Sequence, residues 1–266
     1  KYIFKGVERL KREGKTMTWD QGPKDVSEEI LTLGIAQGVD ADDLLKIFRY
    51  AGENNLRVTG ELLDGMQKKT GEFLAHFKAD EDFRAQVFTD FLAILHLGQS
   101  AGYILFRLHM LGILSELIPG FESLNYQVSP DFRYDHTLDM NSIRMVQTLD
   151  QLMGYYEGKQ AQQGFAVGDL SQTGWIKILR AVLLAREILS PKETMRTIYL
   201  YFAGLQLTEH EAERATWLIQ NQTALMSFIQ NGGIYYPEDF INFQRDVLSD
   251  AEGRPDYLRW QALLAM

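Results

Sequence analysis

The chain has 266 residues, 45% of them hydrophobic, enough to bury the core of one large domain or two modest ones. Its formal net charge of −9, from 27 basic and 36 acidic residues, argues against nucleic-acid binding as the main function. The lack of cysteine excludes a disulfide framework, a zinc ribbon and a thiol nucleophile, and no apolar run approaches the roughly 18 residues of a bilayer span.

The first residues, Lys1 to Lys5, lack the apolar stretch and cleavage site of a secretory signal. A cytoplasmic protein with no membrane association is expected. Lys5, Arg9, Lys11, Arg12 and Lys15 then alternate with Glu8 and Glu13, the pattern of a solvated helix face, with a docking surface as the alternative. Asp40 can cap a helix whose apolar positions are Leu44, Leu45, Phe48 and Ala51. Leu62, Leu63, Met66, Phe73, Leu74 and Phe77 mark a second helix, and Phe83, Val87, Phe88, Phe91, Leu92 and Leu95 a third. Acidic residues Asp80 to Asp82 open that third helix and suit its dipole.

Pro119 to Pro130 has no helical period and reads as an irregular connection. Glu157 to Gly174, rich in glycine and glutamine, reads as a long exposed loop. Ser190 to Glu193 (Ser-Pro-Lys-Glu) predicts a helix start with proline in the first turn. Thr208 to Glu211 repeats the capping-box logic, and Tyr236 to Asp239 opens another helix. No segment reads as a strand. The predicted fold is all-α, with a helical region over 1–120 and a second helical domain over 121–266.

Chemistry-bearing motifs are few. None of His76, His96, His109, His136 and His210 stands in a metal-ligand spacing; His76, His96 and His109 sit among apolar helical residues and are expected to be packed or partly exposed, and His210 to be solvated. Phosphate-loop and nucleophile-elbow signatures are absent. One segment differs. If it is helical, Asp135, His136 and Asp139 fall within a single turn, and carboxylates beside an imidazole suit a divalent metal or a general base. The alternative is a helix start capped by an aspartate.

The stretch from Met110 to Phe121, followed by Asp131 to Ile143, resembles the middle region of the bifunctional uridylyltransferase/uridylyl-removing enzyme that modifies the PII nitrogen-signalling protein. That family carries Met-x-x-x-Gly-Val-Leu-x-x-x-(Ile/Leu)-Pro-x-Phe, and then His-x-Tyr-Thr-Val-Asp-x-His at the start of an HD-type metal-dependent phosphohydrolase domain. The likeness extends through Ile178 to Ile188, where the family has a helix ending in Phe-His-Asp-Ile, and through Trp217 to Gln222, where it has Glu-Asn-His. The resemblance implies an HD-superfamily-like helical domain over 121–266, preceded by a helical region.

The departures fall on the metal ligands. The two histidines of the opening motif correspond to Tyr134 and Asn141, the His-Asp pair to Arg186 and Glu187, and the later histidine to Gln222. Arginine has no lone pair to offer and stays protonated. At about 4 Å and an effective dielectric near 20, each like charge repels by roughly 4 kcal/mol, and a dication doubles that. The resemblance therefore implies a degenerate site without metal, in which Glu187 or Asp139 pairs with Arg186 while Asn141 and Gln222 fill the other ligand positions. The expected role is a non-catalytic, regulatory module that binds a protein partner or another domain of its own chain, with a phosphate or nucleotide as a further ligand and no cofactor. Two alternatives stand beside it. One is an active metal-dependent phosphohydrolase or phosphodiesterase, with manganese or magnesium held among Asp135, His136, Asp139 and Glu187. The other is a helical scaffold without ligand.

Overall fold

A computed structural model describes residues 39–128, 136–157, 174–231 and 237–249, with 256, 259, 262 and 263 beyond them. The protein is all-α. Among the described residues there is no strand, only an isolated antiparallel bridge between Val128 and Thr137. The helices are α1 (Leu44–Glu53), α2 (Gly60–Ala79), α3 (Glu81–His96), α4 (Ala101–Met110), α5 (Ile113–Leu117) and α6 (Leu138–Glu157). They continue with α7 (Trp175–Ala185), α8 (Met195–Gly204), α9 (Glu209–Asn221), α10 (Ala224–Gln230) and α11 (Pro237–Val247).

The centre of the fold is α7. Apart from Lys177, every residue of this helix is buried, and its sequence is apolar on all sides but for Lys177 and Arg180. A helix of that composition must be surrounded, because it has no face to offer water. It packs against α3, α6 and α9, while α4 lies along α6 and α1 along α3. Side chains from both sides of residue 120 (Leu105, Leu108 and Phe121 with Ile143, Val146 and Leu179) share one buried cluster. Packing is therefore continuous across that position.

Several predicted ends are found, each with its capping bond. Asp80 accepts from the Phe83 N–H at 2.9 Å and opens α3. Thr208 and Glu211 form the reciprocal capping box of α9. Other details differ. Asp40 caps a 3-10 turn (Ala41–Asp43) and α1 begins after it. Ser190 and Glu193 do bond each other's neighbourhood, Glu193 accepting from the Ser190 N–H at 3.0 Å. That bond closes a turn, and α8 starts only after Thr194, which caps it through the Thr197 N–H. Part of the connection from Pro119 is ordered as a 3-10 turn, Phe121–Leu124, because Phe121 and Leu124 are both buried. The predicted loop between Glu157 and Gly174 lies outside the described residues over 158–173.

His76 ties three elements together at the surface. Its Nδ1 lies 2.8 Å from Asp42 Oδ1, its Nε2 lies 3.5 Å from Asp80 Oδ2, and its ring stacks on Phe83 with centroids 4.2 Å apart. The hydrogen bond to Asp42 raises the imidazole above its ordinary value, with Asp80 adding to it. A group raised on folding stabilises the native state below its unfolded value, about 6.5. That contribution is lost as the pH rises through the folded value. An NMR titration should therefore place His76 above about 6.5, and Asp42→Asn should bring it back down.

Candidate functional site

Of the residues singled out by sequence, Asp139 and Asn141 lie in the first turns of α6, Arg186 and Glu187 follow α7, and Gln222 follows α9. The chain enters α6 along the Val128–Thr137 bridge, with the Leu138 N–H donating to the Gln127 carbonyl at 2.8 Å. This places Asp139 in the first turn of α6, opposite His109 in the last turn of α4. The His109 Nε2 and Asp139 Oδ2 atoms are 3.1 Å apart, and both side chains are largely buried. Phe121 meets the imidazole edge-on at 6.0 Å. Asp139 sits at the N-terminal end of α6, the helix end that favours a carboxylate. His109 Nδ1, Asp139 Oδ1 and Asn141 Nδ2 are buried without a hydrogen-bond partner. With Nε2–H donated to Asp139, a neutral imidazole leaves Nδ1 as an acceptor.

Arg186 is the C-cap residue of α7, its N–H donating to the Val182 carbonyl at 2.8 Å. Its guanidinium lies 3.5 Å from Glu187 Oε1 and reaches α6 through Met145 Sδ at 3.4 Å. Roughly a fifth of each charged side chain remains in solvent (23% and 22%), so water still screens the pair. Asn141 is buried one turn before Met145, and Gln222 is the half-buried C-cap of α9. His136 is half-buried just before the bridge. Tyr134 and Asp135 lie outside the described residues. The structure thus brings Arg186 to Glu187, as one of the two expected pairings, and gives Asp139 His109 as a neighbour.

Sequence reasoning passed over the most deeply buried ion pair among the described residues. Arg180, in the middle of α7, is fully buried and contacts Asp150 of α6, which is 4% exposed. Arg180 Nε and Nη2 donate to Asp150 Oδ1 at 3.1 and 2.5 Å. Its remaining donors meet the Leu95, Leu97 and Gly98 carbonyls, where α3 ends and the turn to α4 begins. Asp150 Oδ2 in turn accepts from the Gly102 N–H at 2.7 Å, in the first turn of α4. One ion pair therefore caps the end of one helix and the start of the next, each charge facing the dipole end that favours it. Burial pushes the Asp150 carboxyl up and the Arg180 guanidinium down; their mutual attraction and the surrounding hydrogen bonds oppose both shifts. A usable signal existed. Arg180 interrupts a run of apolar residues, and Asp150 continues the Ile143, Val146 face of α6 at helical spacing.

A dication of the type the resembled family binds does not fit the Arg186 end of this site. The guanidinium there offers no lone pair, and it holds the neighbouring Glu187 carboxylate as its own counter-ion. Among the described residues, no three His, Asp or Glu side chains are grouped so that they could hold a metal ion. No described helix is long and apolar enough to cross a membrane. No protein-family model matches the chain, and no curated protein matches its sequence.

Proposed function

We propose that the chain is a non-catalytic regulatory module, an HD-like helical domain whose metal-ligand positions have been given over to hydrogen-bonding and charged side chains. It would act in the cytoplasm by binding a protein partner or another domain of its own chain. The observation that carries this reading is the Arg186–Glu187 pair, set against α6 through Met145 at the positions corresponding to the family's His-Asp ligands. A fixed cation there is suited to a phosphate or carboxylate and unsuited to a dication. A thermal melt of chelator-stripped protein with and without manganese tests it. The expected result is no change in Tm. A site saturated at about 100 times its Kd would add about 2.7 kcal/mol, or roughly 5–10 °C, and a shift of that size overturns the proposal.

A second reading, a metal-dependent phosphohydrolase or phosphodiesterase, draws support from the unpaired, buried Asp139 Oδ1 beside His109. It requires the manganese-dependent shift. It further requires phosphodiesterase activity that Asp139→Asn removes without lowering the melting temperature.

A further inference from the structure

We infer that the outer side of the α4–α6 pair is a docking surface for an acidic, partly apolar peptide segment of a protein partner. This inference is independent of the HD-like reading, because it uses none of the residues on which that reading rests. The two helices run antiparallel: Gly102 at the start of α4 meets Gln147 and Asp150 late in α6, and His109 at its end meets Asp139 at the start of α6. At 100° per residue, Tyr103, Phe106, Arg107 and Met110 share the side of α4 next to its α6-facing stripe. By the same rotation Met140 and Arg144 lie on the matching side of α6. All six are at least partly exposed, Met110 at 61%.

Among the described residues, the charges on this side are uncompensated. The Arg107 guanidinium lies over the Tyr103 and Phe106 rings at 5.2 and 5.6 Å, and its Nε is buried without an acceptor. Among the described residues, neither Arg107 nor Arg144 has a carboxylate partner. The helical positions that share this side (103, 106, 107 and 110; 140, 144, 147 and 151) hold no aspartate or glutamate, in a chain with nine more acids than bases. Two arginines without counter-ions, one pre-set on aromatic rings, suit carboxylates that arrive from outside. The rings and methionines between them suit an apolar anchor in the same segment. The overall acidity of the chain disfavours a nucleic-acid polyanion as the occupant.

Selection from a random peptide display library against the intact chain tests this. The expected binders carry aspartate or glutamate flanking an aliphatic or aromatic residue. Arg107→Glu and Arg144→Glu should each weaken such a peptide by about tenfold or more, the loss of one charge-assisted contact. Changing the peptide's acids to lysine should restore binding to the reversed variants. Arg144 is exposed, so its reversal leaves folding intact and keeps the test valid should Arg107→Glu misfold. The inference is overturned by a selection that yields no binder, by binders without acidic residues, or by affinity indifferent to Arg144→Glu. Binding of a single-stranded oligonucleotide with the same arginine dependence would overturn the choice of occupant.

Discussion

Replacing Arg180 by leucine is expected to lower stability by about 3–5 kcal/mol, because it leaves a buried carboxylate without its counter-ion. Asp150 would keep only the Gly102 N–H, and the Leu95, Leu97 and Gly98 carbonyls would lose their shared donor. Asp150→Leu alone should cost a similar amount, since it strands a guanidinium in the core. The double replacement should be milder than either single change, because two apolar side chains of suitable volume remove both desolvation penalties together. Urea unfolding of the four proteins checks this. Simple additivity would mean that the two residues do not act as a pair.

The second large effect concerns the approach of α4 to α6. A Cβ placed on Gly102 would lie 2.7 Å from Gln147 Cγ and 2.9 Å from Gln147 Cα and N, so the clash includes backbone that cannot rotate away. Gly102→Ala should destabilise by about 1–3 kcal/mol, as overpacking does. Gly71, inside α2, is the control, since a Cβ there meets nothing within 4 Å. Gly71→Ala should stabilise by about 0.5–1 kcal/mol through lower unfolded-state entropy and better helix propensity. Equal melting temperatures for the two variants would argue against the close contact. The same contact brings the Gly102 N–H within reach of Asp150, so the two predictions probe one corner from different sides.

The candidate site was only partly legible in the sequence. Arg186 and Glu187 adjoin in the chain and are paired in the fold, and Asp139 stands in the first turn of a helix, where a carboxylate suits the dipole. The pairing of Asp139 with His109 could not be read, because thirty residues separate them and no local period links the ends of two different helices. For the same reason a reading based on spacing treats His109 as one more packed histidine. The guanidinium–carboxylate arrangement expected around Arg186 is most deeply buried instead at Arg180, six residues earlier. The sequence marks both arginines equally as charges on one apolar helix. Arg180 lies in the middle of the surrounded helix, within reach of α3 and α6, whereas Arg186 stands at its C-terminal end, where solvent reaches it.

Helix content, several caps and the apolar faces follow from the sequence alone, because they depend on interactions within one or two turns. The spacing of Leu44, Leu45 and Phe48, the Asp80 cap and the Thr208–Glu211 box are of this kind. The start of α8 after Thr194, the turn at Phe121 and the antiparallel seating of α4 on α6 were decided by tertiary packing. So were the partners of Arg180, Asp139 and Arg186. Each depends on free energy gained between segments far apart in the chain, where burial and the satisfaction of charged groups outweigh local preference.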